Sequence, residues 1–424
     1  MPVSPQYPTC FEWVNDARPG LETPAHPGAP ILRPVDPPEL QRIAARRYED
    51  FLEDLRAMVN VDCGSYTTEG VNQIADLCQA RFDAGGWKVE RIPHVPAGGE
   101  PQLGDLVIGR LDGTGGPRVL MIGHTDTVFE PGAVAERPFR IEGDRATGPG
   151  VSDMKGGLLT GFYAVEVLRE AGFDGFGSTT YICNPDEEIG SPFSRSHIQQ
   201  AATVSDAAFV LEGARENGDI VSARKGVSDF LIEILGRAAH AGVEPERGRS
   251  AILEAAHEVI ALHELNGRWP GVTVNAGVIE GGTRPNVVAE RCVLHVDVRS
   301  PHEDTLAAAE AEVQRIANAT TIADVRVNVD GGGWHRPMEK SEAGGRLAAL
   351  AIGVAKDLGF ELRDAATGGA SDANTTSAAG VPTLDGLGPV GGDDHGPREW
   401  IDLTSVVPRI SLLAGIVSRL GTFP

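Results

Sequence analysis

Three short apolar runs in this 424-residue chain each end in residue types that bind metals. Residues 118–123 (R-V-L-M-I-G) lead into His124, Thr125 and Asp126. Residues 179–183 lead into Asn184, Pro185, Asp186, Glu187 and Glu188. Residues 207–211 lead into Glu212. Continuous apolar runs of this length mark strands covered on both faces. In an open α/β sheet, ligands gather just beyond the carboxyl ends of such strands. Two more pieces complete the set. Asp153 lies in G-P-G-V-S-D-M-K-G-G at 148–157, and His395 lies in G-G-D-D-H-G at 391–396. Zinc favours imidazole nitrogen and carboxylate oxygen. A His-Asp-Glu-Glu-His set is what two metals sharing one carboxylate would use.

Singly, each residue has a plainer reading. Asp126 can cap a turn, and Asp153 can cap the helix that follows it. Glu187 and Glu188 can be a solvated pair. Glu212 follows five apolar residues, and a buried carboxylate needs a partner. The set as a whole is what points to metal chemistry.

The elements that would position these residues follow from periodicity. Helices are predicted at 38–59 and 68–84, the second stopped by Gly85 and Gly86. Strands at 87–92 and 106–111 join the three apolar runs. A helix at 156–170 carries Leu158, Phe162, Val165 and Leu168 on one stripe. This is an α/β pattern with a mostly parallel sheet covered on both faces. The pattern changes near Ser222. Strand 228–235, helix 250–265, strands 272–280 and 291–299, helix 302–319 and strand 324–329 form a β-α-β-β-α-β ferredoxin-like unit. Helices at 342–358 and 404–420 then resume the first pattern, around a Gly-rich loop at 368–372. The expected division is a Pro/Gly-rich arm at 1–38, a catalytic domain at 39–221 and 334–424, and an inserted domain at 222–333.

Composition narrows the function. The net charge of -23 disfavours nucleic acid and anionic membrane, both of which need a basic face. An anionic substrate would then need local positive charge from Arg, Lys or metal. No apolar run is long enough to cross a bilayer, and residues 1–20 lack the form of a secretory signal. The five cysteines are scattered (Cys10, Cys63, Cys78, Cys183, Cys292) with no C-x-x-C pair. That fits a reducing, cytoplasmic setting.

H-T-D-T-V at 124–128, the 148–157 motif, D-E-E-I-G-S at 186–191, L-E-G at 211–213 and D-H-G at 394–396 resemble, in order, the motifs of the aminoacylase and glutamate carboxypeptidase family of two-zinc exopeptidases. The resemblance covers about 40–424 and is nearest to the bacterial glutamate carboxypeptidases. It implies a zinc-exopeptidase-like catalytic domain with an inserted dimerisation or lid domain. It further implies that His124, Asp153 and Glu212 hold one Zn(II), and that Asp153, Glu188 and His395 hold the other; Co or Mn suits the same ligands. Asp126 would accept from the far ring nitrogen of His124 and fix its tautomer. Glu187 would be the general base. Neighbouring residues on an extended segment point opposite ways, so Glu188 can ligate while Glu187 faces the water.

The same resemblance implies a homodimer, in which His240 of G-R-A-A-H-A-G at 236–242 crosses to the other subunit and helps stabilise the oxyanion. It assigns Asn286 and Arg299 to the substrate, with Arg299 clamping a free carboxylate. It assigns Gly369 and Ser371 to a substrate loop whose backbone N–H groups reach a carboxylate. Two departures stand out: Gly396 follows His395 where many relatives carry Ser, and Trp400 replaces a smaller residue. The expected reaction is hydrolysis of an amide bond beside a free carboxylate, releasing an amino acid, Glu or Asp first, from a small anionic N-acyl or peptidyl substrate. The rivals are an aminoacylase or deacetylase, and a non-catalytic binding protein on the same scaffold.

Overall fold

In a computed structural model, residues 34–422 are described, Trp334 excepted. Most of the 1–38 arm, with Cys10, lies outside them.

The main sheet has six strands in the order Lys88–Ile92, Leu106–Asp112, Ser178–Asn184, Arg118–His124, Ala207–Val210, Thr383–Leu384. The first two pairings are antiparallel and the remaining three are parallel, so the sheet is mixed with a parallel centre. Residues alternate between its two faces, as a pleated strand requires. Val119 and Met121 join a core made with helices Thr68–Ala84, Gly156–Glu170 and Val406–Arg419. Leu120 and Ile122 join a smaller core with Ile198 and Ala202 of helix Arg195–Thr203 and with Ala373 of helix Asp372–Ala378. Both faces are thus covered, and strand Arg118–His124 is buried from Val119 to its end.

A second sheet has the order Thr273–Gly281, Arg291–Ser300, Gly226–Leu235, Arg326–Gly331, all antiparallel. Helices Ala251–His263 and Glu303–Asn318 pack against it around a separate apolar cluster that includes Ile232, Leu294 and Val313. Chain order and strand order together make it ferredoxin-like.

Some elements differ from expectation. The helix expected over 38–59 is two helices, Pro37–Arg46 and Tyr48–Val59. No Gly or Pro marks the break. It falls at Arg47, whose guanidinium reaches across to Glu166 and Glu170. Helices Arg195–Thr203 and Asp372–Ala378 were not anticipated. Nor were two small sheets, one pairing Ile220–Arg224 with Asp364–Thr367, the other joining Gly391–Gly392, Trp400–Asp402, Arg145–Thr147 and Arg140–Glu142. Cys63, Cys78, Cys183 and Cys292 are buried free thiols. Among the described residues, no helix is long and apolar enough to cross a membrane.

Candidate metal centre

The register of the parallel strands brings the three predicted strand ends to one edge. His124 lies opposite Asn184, and Ile122 lies opposite Val210, two residues before Glu212. Glu187 and Glu188 open a short 3-10 turn, Glu187–Ile189, rather than an extended segment. Their side chains still diverge, because successive residues of such a turn differ by about 120°. Asp153 sits in a tight turn at 151–155, just before helix Gly156–Glu170. Its side chain does not cap that helix. Gly157 is required there, since a Cβ would lie 1.6 Å from the Leu211 carbonyl oxygen. The helix start therefore presses directly on the strand end that carries Glu212.

Asp153 is the centre of the cluster. Its Oδ1 is 2.9 Å from His124 Nε2 and its Oδ2 is 3.0 Å from His395 Nε2. Glu212 Oε1 lies 3.8 Å from His124 Nε2, and Glu188 Oε2 lies 3.3 Å from His395 Nε2. Two groups of three result, His124–Asp153–Glu212 and Asp153–Glu188–His395, with the ligand atoms of each within 4.8 Å of one another. Asp153 belongs to both.

The electrostatics fit cations. Burial pushes the Glu188 carboxyl up to about 7 and that of Glu212 to about 8, each reinforced by the neighbouring Asp153 carboxylate. Burial also raises Glu187 well above the usual carboxylate range, with Glu212 adding to it. Burial works against ionising Asp153 too, but hydrogen bonds from His124 and His395 outweigh it and hold Asp153 low. Bonding to Asp153 and then Glu188 lifts His395 to about 11. Glu188 Oε1 is buried with no hydrogen-bond partner. Buried carboxylates that repel one another around two imidazoles are a donor set that divalent cations satisfy.

Asp126 departs from the expected contact. His124 Nδ1 lies 2.9 Å from the Asp126 backbone carbonyl oxygen and 3.5 Å from its carboxylate. The carboxylate is occupied elsewhere. It accepts from the Ser65 hydroxyl at 2.6 Å and from the backbone N–H groups of Glu187 and Glu188, each at 3.2 Å. Asp126 therefore orients His124 through its main chain and clamps the Glu187–Glu188 turn through its side chain.

Two contributors escaped the sequence reading. Buried Glu399 accepts three backbone N–H bonds, from Gly150 (2.9 Å), Ser152 (2.7 Å) and Asp153 (3.0 Å), tying the Asp153 turn to the His395 segment. Buried Arg224 donates from Nε to Asp385 at 2.7 Å and from Nη1 to the Gly369 carbonyl at 3.0 Å. Burial alone would lower Arg224, but the Asp385, Glu212 and Glu187 carboxylates raise it, so its charge faces the Glu212 side of the cluster.

The expected substrate residues fall differently. Arg299 is half-buried; its Nε is 3.1 Å from both Asp297 oxygens, and its Nη1 donates to the Gly368 carbonyl at 3.0 Å. Gly369 accepts from Arg224 through its carbonyl. Ser371 is committed to structure: its hydroxyl donates to Asp385 at 2.7 Å, its N–H donates to Asn374, and it caps helix Asp372–Ala378. Its contribution is to hold the loop. His240 and Asn286 are exposed neighbours, with the Ala241 N–H donating to the Asn286 carbonyl at 3.0 Å, and neither belongs to the two ligand groups. Gly396 suits a tight loop, since a Cβ there would lie 2.6 Å from the Asp393 carbonyl oxygen. The Trp400 ring stacks under the Arg145 guanidinium at 3.9 Å.

A covered, mixed α/β sheet carrying such a cluster at its carboxyl edge fits a metal-dependent hydrolase. The chain belongs to peptidase family M20/M25/M40, whose model matches residues 120–419. It is 30% identical over 376 residues to carboxypeptidase G2 of Pseudomonas sp. (strain RS-16), covering 87% of this chain and 89% of that protein. It is 30% identical over 269 residues to acetylornithine deacetylase of Salmonella paratyphi B, covering 59% and 67%. Its fold is similar to that of aminopeptidase PepT from Bacillus cereus (TM-score 0.71, 24% identity, 88% and 98% covered). It is also similar to an M20 family metallo-carboxypeptidase from Sulfolobus solfataricus (TM-score 0.69, 16% identity, 88% and 99% covered). The chain is thus a hydrolytic enzyme of a family that binds divalent metals, typically zinc, and the binding-protein reading is set aside.

Proposed function

We propose that this enzyme hydrolyses an amide bond next to a free carboxylate, releasing a C-terminal amino acid from an N-acyl or peptidyl substrate. The observation that carries the reading is Arg224, a buried guanidinium beside Glu187 and Glu212 in a chain of net charge -23. Its Nε and Nη1 are used on Asp385 and Gly369, which leaves Nη2 for an incoming carboxylate. Arg299 reaches the adjacent Gly368 carbonyl, so a second carboxylate would meet a second cation. For that reason Glu or Asp is the released residue we place first.

His124, Asp153 and Glu212 would hold one zinc, and Asp153, Glu188 and His395 the other; Co or Mn would suit the same donors. Bound there, two cations supply the charge that polarises the scissile carbonyl and activates water. Glu187 takes the proton from the attacking water and hands it to the leaving nitrogen. Arg224 and Arg299 orient the carboxylate. The acetylornithine deacetylase likeness favours one alternative, removal of a small acyl group from other N-acyl amino acids.

The test compares N-acyl-Glu, N-acyl-Asp and N-acyl-Leu with the carboxamide of each. The free acids should be preferred, and Arg224→Met should lower kcat/KM on N-acyl-Glu by about 10²-fold or more, the cost of truncating one partner of a buried charge pair. The carboxamides should lose far less. Equal losses on both would remove the clamp from the account.

We extend the reading to a homodimer built on the second sheet, residues 222–333. Helix Ala251–His263 turns Glu254 and Glu258 inward and leaves Ile252, Leu253 and Ile260 exposed, while edge strand Thr273–Gly281 exposes Val278 and Ile279. An edge strand with apolar side chains is a pairing surface. The exposed His240 and Asn286 would then serve the neighbouring subunit's site. Mixed His240→Ala and Glu187→Gln subunits should recover about a quarter of wild-type activity by random pairing. No recovery under verified subunit exchange would contradict a shared site. The buried free thiols support a reducing, cytoplasmic setting, which cell fractionation tests.

A further inference from the structure

Buried Asp372 belongs to neither ligand group, yet its carboxylate lies close enough to Glu187 to repel it. It closes a triangle with two other buried side chains. Asn184 Nδ2 donates to Asp372 Oδ2 and to the Ser191 hydroxyl oxygen at 3.1 Å, and the Ser191 hydroxyl donates to Asp372 Oδ1 at 2.6 Å. Both carboxylate oxygens are thus acceptors. Asn184 is the last residue of strand Ser178–Asn184, and Ser191 follows the Glu187–Ile189 turn by two residues. Asp372 therefore fastens both ends of the segment that carries Glu187 and Glu188.

Inside that segment the main chain folds on itself. The Asn184 side-chain oxygen accepts from the Asp186 N–H at 3.1 Å, and the Ser191 N–H donates to the Asp186 carbonyl at 2.8 Å. Arg195 donates to the Gly190 carbonyl at 2.6 Å. Ser191 has a φ of 55°, in the left-handed region that few residues with side chains adopt. Its bond to a buried carboxylate holds it there. Asp372 also opens helix Asp372–Ala378, directly after the loop whose Gly368 and Gly369 carbonyls accept from Arg299 and Arg224. One buried acid thus joins two segments 188 residues apart, one bearing the proposed base and the other adjoining the proposed carboxylate clamp.

Resting on the amide hydrolysis proposed above, we propose that Asp372 is a positioning residue for Glu187. Through Asn184 and Ser191 it fixes the 184–191 segment, so that Glu187 faces the attacking water in a set relation to the clamp. It acts through that segment and not on the substrate.

The experiment compares the full-length, zinc-loaded enzyme with Asp372→Asn, Ser191→Gly and the exchange Asn184→Asp with Asp372→Asn. It reads kcat and KM on the best N-acyl amino acid of the panel above, together with zinc content and Tm. In Asp372→Asn, keeping the Ser191 bond turns one NH2 group against another, so the triangle is left unsatisfied. Its kcat should fall about 10²-fold, the cost of misplacing a reacting group by about 1 Å, with KM within about twofold and zinc retained. Ser191→Gly removes one bond and suits the φ, so kcat should fall about tenfold with the fold intact. The exchange sets a donor against an acceptor again and should return kcat to within about fivefold of wild type. Should Asp372→Asn fail to fold, Ser191→Gly and the exchange carry the same prediction. A raised KM with kcat unchanged would place Asp372 on the substrate loop instead. Lost zinc would make it a support of the metal ligands, and an exchange no better than Asp372→Asn would remove the pairing. Each of these overturns the positioning role and leaves the hydrolase reading intact. Hydrolysis of none of the panel by wild type would overturn that reading, and the positioning role with it.

Discussion

Replacing Glu187 with Gln should leave the metal content unchanged and lower kcat by about 10³-fold, within the usual range for a lost general base. Gln keeps the shape of the side chain and can still donate a hydrogen bond, but it cannot accept a proton from water. The backbone of residue 187 stays in place, because its N–H is held by the Asp126 carboxylate. Burial, with Glu212 beside it, raises the Glu187 carboxyl above the usual carboxylate range. Full activity with metal bound would remove Glu187 from the chemistry. Loss of a cation along with activity would make Glu187 a ligand instead.

Asp153→Ala should have the widest effect of any single change. Each of its oxygens faces a different imidazole, so the substitution breaks both three-residue groups at once. Metal content should fall from two per subunit to none, and turnover should drop to background. A residue serving one group only, such as Glu212, should cost one cation first. Retention of a tightly held cation by Asp153→Ala would show that the two groups do not depend on a common carboxylate.

These two residues were legible in the sequence for a physical reason. Strand 178–184, like strands 118–124 and 207–210, is largely buried, so a polar residue just past its end, such as Glu187, must be paired or functional. Asp153 stood out because it lies in a tight Gly-rich loop that opens a helix. The helix and strand periods of the second sheet were equally plain, since one face of each element is apolar.

Other parts were hidden because their meaning is tertiary. Nothing near Arg224 in sequence says that Asp385, 161 residues away, will hold it beside Glu212. Glu399 looks like an ordinary surface acid until the fold gives it three N–H groups to accept. Ser371 was assigned to a substrate loop by resemblance, through its backbone N–H; in the fold that N–H donates to Asn374 and the hydroxyl to Asp385. The second partner of His124 was misplaced by one group, from the carboxylate of Asp126 to its carbonyl, because the turn at 187–188 competes for the carboxylate. The split at Arg47 has no local breaker residue; Arg47 pairs there with Glu166 and Glu170 of a distant helix.

The most direct test is anomalous diffraction at the zinc edge from crystals of the zinc-loaded enzyme. The account predicts two peaks per subunit, one near His124 and Glu212, the other near Glu188 and His395, with the Asp153 carboxylate between them. A single peak, or peaks away from Asp153, would contradict it.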